Sequence, residues 1–444
     1  MKKRTLLIIL VLLLVAAAVF VVPPMLSGRY YRMAKTEYDS TAYSEAVDLL
    51  QKSLKFDKKN IAARLLRADI HLQFERNEQA LTDYTFVLQE TDTSAVAHMG
   101  AAVAYYRQEA FEKTLQQADA ALQLTITPEG YLYKGLANLA LKRFDKAEHA
   151  FSQAIGQDTN FAEAFHYRGI AKANQGNFEE AAVDYNKAIE LDASNLDAYK
   201  RRVAFRADKA DYTGAIADYD AIIALDENNS EAYYQRGFFK LKIRDFQGAQ
   251  QDLSKAIELN PTYGMAYMKR GNALAAQGSF QDALEDFTTA GRYLPDSASV
   301  DYRKGLVYMN MGDFAKARQQ LSRAIRKDNQ YAEAYYLRGV ANARANNVER
   351  SIDDFTEALK LDDTYAEAYL GRAISLGVLK MHKEALADYD TYVQMRPADP
   401  VGYYNRGISR INVNNNQGGC EDFAKAVELG YGPAKDMQKM YCSN

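Results

Sequence analysis

Side chains that could carry out acid–base or metal chemistry are scattered through this chain of 444 residues. The sequence contains no glycine-rich loop of the kind that cradles phosphate, no His-Glu-x-x-His pair and no Gly-x-Ser-x-Gly turn around a nucleophile. We therefore expect a protein that is not an enzyme, with no catalytic residue, no cofactor and no metal site. The histidines fall in different parts of the chain: His71, His98, His149, His166 and His382.

Arginine and aspartate, in contrast, recur together at a fixed spacing of sixteen residues. Where one member of the pattern is replaced, the other is replaced as well. A guanidinium can hold both oxygens of a carboxylate, so we predict a bidentate bridge between two helices; a set of ligand sites is the functional alternative. The pairs are Arg67 with Asp83, Arg168 with Asp184, Arg202 with Asp218, Arg236 with Asp252, Arg270 with Asp286, Arg338 with Asp354, Arg372 with Asp388 and Arg406 with Asp422.

These pairs belong to a longer repeat, because glycines recur on a strict grid of 34 residues. A period in this range is typical of stacked repeat architectures. Val203 and Ala373 occupy the two grid steps that lack glycine. The grid predicts twelve units between residues 27 and 433. Its glycines are Gly135, Gly169, Gly237, Gly271, Gly305, Gly339 and Gly407.

The unit at 162–195 shows why the repeat should be a helical hairpin. Residues 162–175 lack proline and carry apolar or small residues three and four apart, which is helical spacing. After a break, Asn177 followed by Glu180 predicts a capping box at the start of a second helix. Two short helices cannot bury both of their apolar stripes alone, so neighbouring units must stack.

This unit resembles the tetratricopeptide repeat, whose pattern places a ring, a glycine, an alanine, a second ring and an alanine at fixed positions. The chain departs from that pattern in having no tryptophan and in placing Arg168 where leucine is usual. The resemblance implies an all-α, right-handed superhelical solenoid of helix-turn-helix units at 27–433, closed by a capping helix at 434–444. The matching residues are Phe165, Gly169, Ala181, Tyr185 and Ala188, with Pro261, Pro295 and Pro397 at the closing position.

Composition agrees with a helical stack and argues against nucleic acid as a partner. The net charge is −3 and the isoelectric point is about 6.1, so the chain lacks the basic footprint of a nucleic-acid-binding protein. Hydrophobic residues make up 48% of the chain and there are only 8 prolines, which an all-helical solenoid requires.

The N-terminus carries a membrane signal. Residues 1–5 include three cations, and residues 6–22 are an unbroken apolar run at the short end of what spans a bilayer. Flanking cations favour a cytoplasmic N-terminus, so we predict a transmembrane anchor with the repeats on the extracytoplasmic side, which is the periplasm if the source is bacterial. A cleaved signal peptide, which would release a secreted protein, remains the alternative.

Both cysteines lie near the C-terminus, at Cys420 and Cys442. Export places them in an oxidising compartment, so we predict a disulfide that ties the last short helix to the final repeat; free thiols are the alternative.

In this family the first helix of each unit lines the concave face, which implies a stripe of candidate partner contacts. An aromatic and aliphatic stripe could hold a peptide helix or an extended segment. Alternatively, much of it packs against the neighbouring first helix. Two cations in the set have no acidic residue four positions earlier and could meet an acidic segment. The candidates are Tyr234, Phe238, Met268, Lys269, Tyr302, Arg303, Leu306, Tyr336, Val340 and Tyr404.

The resemblance thus implies a non-catalytic scaffold or adaptor at the cell envelope that binds proteins or peptides on its concave face. Two alternatives stay open: an exported protein that binds glycans or cell-wall polymer, and a structural protein that associates with itself. The sequence identifies neither the partner nor the oligomeric state.

Overall fold

The computed structural model describes residues 2–442, with the backbone alone for residues 2–6 and 17. Within that range it contains helices and no strand, as the sequence predicts. The described residues group into two units that divide between Ala210 and Asp211. Each unit is a stack of antiparallel helical hairpins, so the predicted all-α solenoid of helix-turn-helix repeats is confirmed.

The first unit comprises α1 to α12. Their bounds are α1 Lys2–Phe20, α2 Val22–Asp39, α3 Tyr43–Phe56, α4 Ile61–Gln73, α5 Asn77–Glu90, α6 Ala95–Arg107, α7 Phe111–Leu124, α8 Pro128–Ala140, α9 Phe144–Gln157, α10 Ala162–Asn174, α11 Phe178–Leu191 and α12 Leu196–Asp208.

The second unit comprises α13 to α26. Their bounds are α13 Tyr212–Leu225, α14 Ser230–Lys242, α15 Phe246–Leu259, α16 Gly264–Ala276, α17 Phe280–Tyr293, α18 Ala298–Asn310, α19 Phe314–Lys327, α20 Ala332–Arg344, α21 Val348–Leu361, α22 Ala366–Val378, α23 His382–Met395, α24 Pro400–Asn412, α25 Asn416–Glu428 and α26 Pro433–Cys442.

The start of the second helix in each hairpin is capped in some repeats and not in others. The predicted capping box at Asn177 is wrong, because the Asn177 side chain accepts no hydrogen bond from the helix that follows it. Asp245 stands at the equivalent position of a later hairpin and accepts from the Gly248 backbone N–H at 2.9 Å. A carboxylate is also favoured there by the positive end of the helix dipole.

The recurring glycine lets the two helices of a hairpin approach closely. At Gly271 in α16, a Cβ atom would lie 2.8 Å from the Phe287 ring of α17. Phe287 is 1% exposed and is packed in a core cluster with Met268 and Val300. The glycine therefore costs helix propensity but admits a full aromatic ring into the core of the hairpin.

Replacing this glycine should destabilise the stack. We expect Gly271→Ala to cost about 1–3 kcal/mol, because the new methyl group overlaps the ring and overpacks the hairpin. Hydrogen exchange in α16 and α17, together with the thermal midpoint, measures the effect. Gly156→Ala is the matched control, since a Cβ there meets nothing within 4 Å, and should be neutral or stabilising. Equal protection of α16 in wild type and G271A would contradict this account.

One helical stretch, Leu7–Asp39, is long and apolar enough to cross a membrane. Its most apolar window has a mean hydropathy of 3.0 and no buried residue. The stretch covers most of α1 and all of α2, with only Val21 between the two helices. It is compatible with the predicted signal anchor or transmembrane span.

The C-terminal end of the second unit is held by a covalent link. Cys420 in α25 and Cys442 at the end of α26 form a disulfide. Ala434 of α26 is fully buried, so the short helix also covers part of the last hairpin with its own side chain. The bridge encloses the turn between the two helices and keeps α26 in place.

Removing this bridge should loosen α26 without disturbing the hairpins before it. The sequence separation of 22 predicts a loss of about 3 kcal/mol when Cys442→Ser opens the loop. Hydrogen exchange of α26, compared with α20 as an internal reference, reports the change. Reduced wild-type protein should match C442S; unchanged protection of α26 in both would show that packing alone holds the helix.

Candidate functional site

The arginine–aspartate pairs are the most regular polar feature of both units. In hairpin α10–α11, Arg168 donates from Nε and Nη2 to the two oxygens of Asp184, at 2.9 and 2.6 Å. The remaining predicted pair, Arg202 with Asp218, has one member in each unit. The structure brings together Arg67 with Asp83, Arg168 with Asp184, Arg236 with Asp252, Arg270 with Asp286, Arg338 with Asp354, Arg372 with Asp388 and Arg406 with Asp422.

All eight aspartates of the pattern are buried, which corrects the alternative interpretation of the pairs as ligand sites. Their exposed fractions range from 1% to 6%, whereas the arginine side chains are roughly a fifth exposed. An external ligand cannot approach a carboxylate that is covered on all sides, and a buried charge persists only beside a partner. The buried aspartates are Asp83, Asp184, Asp218, Asp252, Asp286, Asp354, Asp388 and Asp422.

A third contact of these arginines extends to the preceding hairpin, which sequence reasoning missed. Arg270 donates from Nη1 to the Ser254 hydroxyl on α15, sixteen residues earlier, at 3.0 Å. The sequence could have indicated this contact, because a polar residue stands sixteen positions before most of these arginines. The guanidinium thus joins three helices from two hairpins. The acceptors are Ser152, Asn186, Asp220, Ser254, Ser322, Thr356 and Asp390.

These contacts make the pairs structural. The hydrogen bond to Asp286 raises the pKa of Arg270, so the guanidinium is held in its charged form by its own partner. Both carboxylate oxygens of Asp286 accept from Arg270, at 2.8 Å each. Since the donors and acceptors satisfy one another, little binding capacity is left for an external ligand.

Breaking one pair should therefore weaken folding. Asp286→Asn removes the negative charge and leaves the Arg270 guanidinium without its counterion, and we expect a loss of about 1–3 kcal/mol. Thermal unfolding and hydrogen exchange in α16–α17 measure it. Asp282→Asn on the same helix is the control, because Asp282 is exposed, and should change stability little. An equal effect of both substitutions would exclude the pair as the cause.

The predicted partner-binding residues all lie in the second unit, and the structure separates them into core and surface. Tyr234 and Met268 are each only 8% exposed and belong to core clusters. Their side chains fill the stack, so assigning them to a partner-binding surface is corrected here. The Tyr234 ring packs against Tyr263, with centroids 4.8 Å apart, which explains its burial.

The other predicted tyrosines are half-buried by a similar contact. Each packs against a tyrosine that closes the same repeat, a position that the sequence analysis passed over. Burial raises the pKa of Tyr302 and of Tyr336, so both phenols stay neutral. Each ring presents only part of its surface. The ring pairs are Tyr302–Tyr331 at 4.9 Å, Tyr336–Tyr365 at 4.7 Å and Tyr404–Tyr431 at 5.0 Å.

Four accessible residues on the first helices form what we call the basic-aromatic patch: Phe238, Lys242, Lys269 and Arg303. The ammonium groups of Lys269 and Lys242 lie 4.9 and 5.4 Å from the centre of the Phe238 ring. These are cation–π distances. The patch lies on the first helices α14, α16 and α18. Helix α14 contacts α16, and α16 contacts α18.

The patch carries charge that the described residues do not neutralise. Burial, followed by the nearby charges of Arg303 and Lys242, lowers the pKa of Lys269. The Nε atom of Arg303 is buried without a hydrogen-bond partner. Leu306 and Val340 are half-buried on the neighbouring first helices. The arrangement can bind an anionic group beside an apolar one.

In the part of the chain that the structure describes, no group of three or more histidine, cysteine, aspartate or glutamate side chains is arranged to hold a metal ion.

Comparisons with known proteins point to one family. Models described as tetratricopeptide repeat match residues 162–195, 240–294, 302–366 and 344–400. No curated protein sequence matches the chain. One similar solved structure is the "APC/C hetero-tetramer Cut9-Hcn1", with 13% sequence identity and a TM-score of 0.44 over 94% of this chain and 96% of that chain. Another is "Yeast Tom70", with 17% sequence identity and a TM-score of 0.39 over 93% of this chain and 99% of that chain. A third is "YrrB: a TPR protein with an unusual peptide-binding site", with 21% sequence identity and a TM-score of 0.39 over 42% of this chain and 97% of that chain.

Proposed function

Because the chain belongs to the tetratricopeptide repeat family, we propose that it is a non-catalytic scaffold that holds protein partners at the cell envelope. The tetratricopeptide fold is a protein-interaction fold, and its members are generally non-catalytic. The finer proposal is that the first helices of the second unit bind an extended or helical peptide segment of the partner, with the basic-aromatic patch at the centre.

The uncompensated charge of the patch carries this proposal. Besides burial, the nearby charges of Arg303 and Lys242 disfavour the charged form of Lys269, and the Nε atom of Arg303 is buried without an acceptor. A carboxylate from a partner would offset the positive charge around Lys269, while an adjacent apolar side chain would pack on Phe238. We therefore propose that the bound segment is acidic and carries at least one large apolar residue.

The envelope location rests on the apolar stretch and on the disulfide. Leu7–Asp39 could serve as the anchor, and a cystine is typical of proteins in an oxidising compartment. We propose a single-pass protein whose repeats lie on the extracytoplasmic side. Nucleic acid is not proposed as a partner, since the net charge is negative.

Site-specific photo-crosslinking in the native host tests the proposal. A photoreactive residue at Leu306 or Val340 should give a discrete protein adduct, because Leu306 lies on α18 with Arg303 and Val340 lies on α20, which contacts α18. Controls at Gln251 and Asp282 are exposed on second helices and should give none. Mass spectrometry identifies the adduct. Sedimentation with wall polymer instead, or adducts of the chain with itself, would transfer support to the polymer-binding or self-associating alternatives.

Charge reversal at the basic-aromatic patch tests whether the patch binds the partner segment. Lys269→Glu with Arg303→Glu should reduce the crosslink at Leu306 at least tenfold, because an acidic segment would meet like charges. The matched control, Arg292→Glu with Lys435→Glu, changes the net charge equally at two exposed positions and should leave the crosslink intact. If both double variants crosslink as the wild type does, the patch is not the binding site.

A further inference from the structure

Positive charge is concentrated in one hairpin of the second unit. Residues 298–331 contain seven lysines and arginines against three aspartates, in a chain whose net charge is −3. The second helix of that hairpin, α19, has five cations and no acidic residue. Its charge therefore differs sharply from that of α17 and α21 on either side, which both carry acids.

The repeat itself explains why α19 lacks an acid. The hairpin α18–α19 has Lys304 and Gln320 at the positions where most hairpins carry the arginine–aspartate pair. The substitution leaves Gln320 buried, with its Oε1 atom lacking a hydrogen-bond partner. The carboxylate of the repeat pattern is therefore absent from α19, and Lys327 pairs instead with Asp301 of α18 at 2.6 Å.

A cavity opens between α19, α20 and α21, on the second-helix side of the stack. Its volume is about 470 Å³, and its walls include Arg318, Arg350, Ser322 and Asn342. Arg318 is half-buried and donates from Nη1 to the Asn342 amide oxygen at 3.3 Å. Arg350 is exposed at the rim.

The charges around this cavity are unequally satisfied. Arg338 also lines it but already donates to Asp354 and to the Ser322 hydroxyl. Arg318 donates from Nε to the backbone oxygen of Phe314, at 3.4 Å. Among the described residues, neither Arg318 nor Arg350 has a carboxylate at ion-pair distance, so two guanidinium groups remain uncompensated.

We propose that this cavity binds a phosphate group. Two guanidinium groups offer forked donors that match the oxygens of a phosphate, and the Ser322 hydroxyl adds a neutral polar contact. Asp353 is the one acidic wall residue outside the pair with Arg338, and it is exposed. The phosphate belongs either to a small soluble ester or to the headgroup of an anionic phospholipid.

This site is distinct from the basic-aromatic patch, which lies on the first helices. The proposed phosphate cavity is built by the second helices α19 and α21 and by Arg338 and Asn342 of α20. Binding of a partner segment and binding of phosphate can therefore be removed separately by substitution.

Isothermal titration calorimetry of the full chain in micelles of a zwitterionic detergent tests the proposal. Inorganic phosphate, at constant ionic strength set with potassium chloride, should bind saturably. Dihexanoyl phosphatidylglycerol below its micelle concentration forms the second arm, and dihexanoyl phosphatidylcholine is its neutral counterpart. Tighter binding of the glycerol lipid than of free phosphate assigns the site to a headgroup; the reverse order assigns it to a soluble ester.

Substitutions decide whether the binding occurs in this cavity. Arg318→Gln with Arg350→Gln should weaken phosphate binding at least tenfold, and Arg350→Gln alone, at an exposed position, guards against misfolding of the double variant. Arg292→Gln with Lys383→Gln removes the same charge elsewhere and should change affinity less than twofold. Absence of saturable binding, or equal losses in both double variants, overturns the proposal.

Discussion

The structure depends on how closely the two helices of each hairpin can approach. At Gly271 the approach is so close that a single methyl group would overlap the Phe287 ring. Other hairpins repeat the contact with a different ring or with leucine, as Gly169 does with Tyr185 and Gly305 with Leu321. In the repeats that carry this glycine, the centre of the hydrophobic core is therefore one large side chain of the second helix packed on the backbone of the first.

This packing lies within one hairpin, so a separate interaction must fix the register between neighbouring hairpins. Arginines such as Arg168, Arg270 and Arg338 supply it, because each of these bonds an aspartate in its own hairpin and a polar residue in the hairpin before. The contact to the polar residue always runs from an arginine back to the hairpin that precedes it in the sequence. Hydrophobic stacking provides most of the stability, whereas the guanidinium fork sets the register between neighbours.

Much of this followed from the sequence, because the 34-residue period constrains glycine, alanine and aromatic positions together. The pairing of Arg168 with Asp184 could be anticipated since both vary together along the repeats. The third contact, to Ser152, was missed because serine, threonine, asparagine and aspartate alternate there, and no single residue type signals the position. The burial of Tyr234 depends on Tyr263, twenty-nine residues away, which helical periodicity within one helix does not reveal.

The replacement of arginine by Lys304 has a mechanical consequence. Thr288 stands where the acceptor for that arginine would be, and it donates instead to the Leu284 oxygen of its own helix. In the second unit, as far as Cys442, an arginine bonds the preceding hairpin at the other junctions between successive hairpins. The junction between α17 and α18 lacks this contact. We expect it to act as a seam at which the stack bends or parts first under load. Lys269 and Arg303 lie on opposite sides of this seam, so a ligand that engages both would stiffen the second unit at this junction.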